Sequence, residues 1–144
     1  MCRLPDLTDN ERLGRSIFSR RLSKRAQSSG QSPRDVFLES HDAESISVDR
    51  MDRALVSEMA SLAEDRARDR IPSKKFYGWA IITVLSASTN GRTVEATPTA
   101  DNAYHTDIFL NIDENIVGKE RRDEQKQHAV QLAACSEWQD RPRP

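Results

Sequence analysis

The segment Phe76-Tyr77-Gly78-Trp79-Ala80-Ile81-Ile82-Thr83-Val84-Leu85-Ser86-Ala87 decides the fold. Its residues are apolar on both alternations, and aromatic and β-branched types dominate. A strand half-exposed to water alternates apolar and polar, whereas one covered on both faces does not. The spacing therefore predicts a strand over 76–87 in the interior of a sheet. Asn90-Gly91 follows. Both residues tolerate positive φ, which a two-residue type I′ hairpin demands. Thr93 to Thr97 is then expected to return antiparallel, as a strand over 92–97 that Pro98 ends.

Downstream, Tyr104 to Ile112 alternates cleanly. Tyr104, Thr106, Ile108, Leu110 and Ile112 share one face, and His105, Asp107, Phe109 and Asn111 share the other. Upstream, Val36-Phe37-Leu38 and Ile46-Ser47-Val48 read as short strands over 35–38 and 45–48. Between 45–48 and 76–87, Leu55, Met59 and Leu62 fall at i, i+4, i+7, and Ala60, Ala63 and Ala67 widen the stripe. An amphipathic helix over 53–69 follows, with Asp49 or Asp52 as its cap and Pro72 as its stop. A last helix is read over 119–138, with Trp138 anchoring it on the sheet.

These elements make an α+β fold. A mainly antiparallel sheet of about five strands carries two main helices, in one domain over 35–139 with a tail at 140–144. The doubly apolar strand needs cover on its second face, from the leader or from a second copy of the chain. Residues 1–34 read as a basic polar arm. From Arg12 to Arg34 there are seven basic residues and no acidic one. Leu13, Ile17, Phe18 and Leu22 give it a short helix over 11–25.

The 144 residues suit one domain. A charged fraction of 31% against 36% hydrophobic fits a modest core with polar segments. Net charge is −1, which argues against nucleic-acid binding through global charge while leaving a local patch open. Cys2 and Cys135 are not expected to pair, because Cys2 sits at the terminus. Free thiols, no signal-peptide pattern and no run near the ~20 apolar residues of a membrane span point to the cytosol.

Arg15 to Ser19, Val36 to Leu38, Ser47 to Arg50, Gly91 to Val94, Tyr104 to Ile108, His128-Ala129 and Leu132-Ala133 together carry a likeness. In this order the chain resembles a group of small uncharacterised bacterial proteins. The resemblance implies no activity, catalytic residue or substrate.

His105-Thr106-Asp107 is the sharpest chemical candidate. In a strand, i and i+2 project to one face about 7 Å apart. A histidine beside a carboxylate can serve as general base; no cofactor is expected, with a divalent metal held by His105 and Asp107 as the alternative. Arg92 could stabilise an anion there, and His128 could join from the last helix. These four define a small hydrolase or nuclease acting on a phosphodiester or nucleotide, with Asn111 as a further binding residue. Against this stands a plain solvated strand face. The second candidate is the arm, where Arg20, Arg21, Lys24 and Arg25 offer salt-sensitive phosphate contacts or a dock for an acidic protein. Absence of the Cys-x-x-Cys, His-Glu-x-x-His, P-loop and Gly-x-Ser-x-Gly patterns favours a non-catalytic interaction or regulatory protein of a bacterial cytosolic system, with a protein partner or its own copy. No membrane partner is expected.

Overall fold

Gly78–Thr83 is a strand buried on both faces. In the computed structural model, which describes residues 4–143, it belongs to a six-stranded, wholly antiparallel sheet. The elements in chain order are β1 (Arg12–Ile17), α1 (Arg20–Ser29), a 3-10 turn (Arg34–Phe37), β2 (Ser45–Arg50), α2 (Val56–Arg68), β3 (Gly78–Thr83), α3 (Val84–Ala87), β4 (Thr93–Ala96), β5 (His105–Phe109), α4 (Gly118–Ala134) and β6 (Glu137–Asp140). The sheet order is β4-β5-β2-β1-β3-β6.

The alternation of β3 explains its two environments. Ala80 and Ile82 point into a cluster with Leu13, Ile17, Val48, Ile108 and the α4 residues Ala129 and Leu132. Trp79 and Ile81 point into a second cluster with Met51, Phe76 and the α2 residues Met59, Ala63 and Ala67. Cover for the second face thus comes mainly from α2, with Phe18 of the leader packed against the same cluster. β2 and β3 both run antiparallel to β1, so they are parallel to each other and need a crossover. α2 is that crossover, and its alanines let it lie close over Trp79. Each large side chain buried this way contributes about 1.5–3 kcal/mol.

Several expectations are corrected. Residues 12–17 form a strand within the sheet rather than the start of a helix over 11–25, and the helix starts only at Arg20. Ser19 opens α1 by accepting from Leu22 N at 3.2 Å. Gly14 leaves room for Met51 and Trp79, because a Cβ there would lie 2.6 Å from Met51 Sδ and 3.2 Å from Trp79 Cδ1. The 35–38 strand is a 3-10 turn with Val36 and Phe37 both buried. The strand begun near 76 stops at Thr83, whose hydroxyl caps α3 by accepting from Ser86 N.

Asn90 and Gly91 do adopt positive φ, at 56° and 81°, and Arg92 N donates to Thr89 O. That turn joins α3 to β4 and closes no hairpin, since β4 pairs with β5 at the far edge. Neither Asp49 nor Asp52 caps α2. Leu55 holds that position without a side-chain bond, and it is 68% exposed. The last helix ends at Ala134. Trp138 anchors the first cluster from β6, an edge strand paired with β3, and so lies outside α4. Among the described residues the sheet therefore has six strands, and there are four α-helices. Cys2 lies outside the described residues. Among the described residues no helix is long and apolar enough to cross a membrane.

Candidate functional site

The sequence candidates separate into two pairs. His105 and Asp107 sit on β5, facing away from the α4 side of the sheet, as their alternation with the buried Thr106 and Ile108 requires. Thr97, just past β4, ties them together. Its hydroxyl donates to Asp107 Oδ2 at 2.8 Å and lies 2.9 Å from His105 Nδ1. Having given its one proton to Asp107, it accepts from His105, which assigns the imidazole proton to Nδ1. Ser45 Oγ donates to the other Asp107 oxygen at 3.2 Å. His105 and Asp107 themselves stand 4.0 Å apart. Both are committed to joining β4, β5 and β2. Among the described residues no third His, Cys, Asp or Glu completes a metal-binding group with them.

Arg92 and His128 meet on the opposite, α4 side. Arg92 is 3% exposed. Its guanidinium donates to Ala87 O (2.8 Å), Gln131 Oε1 (2.7 Å), Thr89 Oγ1 (3.0 Å) and His128 Nδ1 (2.9 Å). A guanidinium can only donate, so His128 Nδ1 is the acceptor in this contact. Burial pushes its pKa below 6.5, and the facing guanidinium pushes it further. Burial also lowers the Arg92 pKa. Thr93 pairs with Phe109, four residues from His105, so the two pairs are offset by about 13 Å along the strand as well. Asn111 leaves the strand at φ 56° and donates to Gly91 O and Thr93 Oγ1, both at 3.0 Å. It fastens the turn before β4.

The four basic residues read from the leader lie on α1. Arg21 is 3.9 Å from Asp35. Lys24 and Arg25 border a shallow depression with Ser28 and Pro33. Only Arg20 reaches the feature that the sequence did not disclose.

That feature is a cleft of about 750 Å³ where β1 and β2 part. Their ladder consists of Leu13–Arg50 and Gly14–Asp49 and then stops. β1 remains paired with β3 through Ile17, while β2 remains paired with β5 through Ser45. Alternation directs the backbone groups of Ser16 and Ser47 into the gap. Arg15 reaches across it, donating Nη1 to Ser47 O at 2.8 Å and Nε to Val36 O at 3.2 Å, and it pairs with Glu39. On the α2 side, buried Asp49 accepts from Asn102 Nδ2 at 2.8 Å and pairs with Arg66.

No protein-family model, curated protein or solved structure matches this chain. Residue roles therefore rest on the geometry alone. The cleft collects six basic side chains, Arg15, Arg20, Arg66, Arg70, Lys74 and Lys75, against two acidic ones, Asp35 and Asp49. Arg15 and Arg66 are held by Glu39 and Asp49. Among the described residues no carboxylate pairs with Arg20, Arg70, Lys74 or Lys75. A chain of net charge −1 thus concentrates unpaired positive charge at one opening in its sheet. The basic cluster Arg70, Lys74 and Lys75 after α2 was the available signal in the sequence, but nothing there linked it to Arg15 or Ser47.

Proposed function

We propose that this chain is a non-catalytic binding protein that recognises an anionic group at the cleft between β1 and β2. The observation that carries this reading is the separation of the histidine pairs. A hydrolase built on His105, Asp107, Arg92 and His128 needs them around one concavity. The pairs lie on opposite faces, and each is consumed by hydrogen bonds that hold strands or turns. The cleft, by contrast, has unpaired cations and a volume in the range of small-molecule sites.

The test is turnover. The chain is incubated with a phosphomonoester, a phosphodiester and a nucleotide, with and without magnesium, manganese or zinc ions. The expected result is no hydrolysis above buffer. Hydrolysis that His105→Ala or Asp107→Asn abolishes, in protein with an unchanged melting curve, overturns the reading in favour of the hydrolase.

A further inference from the structure

We infer that the β1–β2 cleft takes a small molecule carrying two linked phosphates, a pyrophosphate or diphosphate ester. This rests on the cleft's being the binding site and adds what it binds. The charge count sets the class. Four cations, Arg20, Arg70, Lys74 and Lys75, lack carboxylate partners at the cleft. A phosphate monoester brings about −1.5 to −2 charge near pH 7, which leaves part of that surplus unmatched. A diphosphate brings more charge in a compact group, and its oxygens accept from several guanidinium and ammonium donors at once.

The donors are also of the right kind and are held in place. Arg66 is oriented by its ion pair with Asp49. Arg70 is steadied over the Phe18 ring, 4.4 Å from its centroid. Ser16, itself a lining residue, accepts from Arg66 Nη2 at 3.3 Å and so helps hold that side chain.

A nucleic-acid strand fits less well. Single strands are held by successive aromatic platforms along a charged groove. Here Phe18 is occupied by Arg70 and packs edge-on against Phe76, leaving Tyr77 as the lining's other aromatic ring. A bounded cleft with clustered cations suits a compact polyanion better than a long track.

The test is calorimetric titration of the full chain at about 150 mM ionic strength, where exposed charges are screened. The probes are inorganic pyrophosphate, adenosine diphosphate, orthophosphate and adenosine. Saturable binding of pyrophosphate and adenosine diphosphate is expected, with orthophosphate at least about tenfold weaker and adenosine silent. The double variant Lys74→Ala/Lys75→Ala, both residues exposed, should weaken pyrophosphate by about tenfold or more. The double variant Lys24→Ala/Arg25→Ala removes equal charge from outside the cleft and should leave it within about twofold.

No saturable pyrophosphate binding overturns the proposal, and so do equal losses in the two double variants. Binding of a single-stranded oligonucleotide that pyrophosphate does not displace overturns it in favour of nucleic acid. Failure here is distinct from failure of the non-catalytic reading. Hydrolysis of adenosine diphosphate that depends on His105 would sink that reading and leave cleft binding intact.

Discussion

Arg15 of β1 donates from Nη1 to the carbonyl oxygen of Ser47 in β2, 2.8 Å across the gap where the two strands have stopped pairing. A side chain here replaces the missing ladder, and in doing so keeps the gap open. Arg15→Met retains the apolar stem but loses the bonds to Ser47 O, Val36 O and Glu39. The expected loss is about 1–3 kcal/mol in denaturant unfolding. Arg15→Lys should recover only part of it, because an ammonium lacks the planar fork.

Gly14→Ala should cost about 1–3 kcal/mol, as overpacking does. The added Cβ meets Met51 Sδ at 2.6 Å and Trp79 Cδ1 at 3.2 Å. Met51 is flexible and the indole is not, so adding Met51→Ala should leave part of the cost in place. A thermal melt of both variants checks this, and an unchanged Gly14→Ala melt would place the α2-side packing elsewhere.

Glu11 and Arg50 form a buried ion pair, with Nη2 donating to Oε1 at 2.9 Å and Arg53 donating to the same oxygen. Glu11→Gln leaves Arg50 buried without its counter-charge. The expected loss is about 3–5 kcal/mol, read by urea unfolding. A loss no larger than that of an exposed pair, under about 1 kcal/mol, would count against this burial.

Stability should fall on acidification in two stages. His128 has a folded pKa below 6.5, through burial and then Arg92. Below 6.5 the unfolded chain takes the proton first, so its contribution is complete above that pH and is lost as pH falls through the lowered value. Glu11 follows at lower pH. Burial raises its pKa, but the hydrogen bonds and charges of Arg50 and Arg53 bring it below 4.5. Its contribution is present above 4.5 and is lost as pH falls through the depressed value. His128→Gln should flatten the first stage of a stability-against-pH profile and spare the second. A first stage that survives the substitution would assign it to another group.

Thr97→Val removes the hydroxyl that joins His105 to Asp107. It should lower stability by about 1–2 kcal/mol and leave pyrophosphate binding unchanged. Weakened binding with normal stability would move the functional site to β5.

The legible parts of the fold were those whose burial is written locally. Trp79 to Ile82 declared two covered faces, and Thr106, Ile108 and Leu110 declared one. β1 was hidden because Leu13 and Ile17 are four apart, a spacing in phase with both a helix and a strand. Gly14 and Arg15 break neither pattern. The Asn90-Gly91 turn was legible in its dihedral angles but not in its partners, since turn chemistry sets local φ and pairing is set by the whole sheet. β6 was hidden because Glu137-Trp138-Gln139-Asp140 has one apolar residue to alternate. The cleft was least legible. It joins Arg15, Ser47, Arg66 and Lys74, whose neighbourhood exists only because two strands part.

The most direct measurement is a backbone amide NMR titration of the full chain with pyrophosphate. The account predicts saturating shifts at Ser16, Ser47, Lys74 and Lys75, with Thr97, His105 and Asp107 unmoved. Shifts centred on His105 and Asp107, or none at any of these residues, would contradict it.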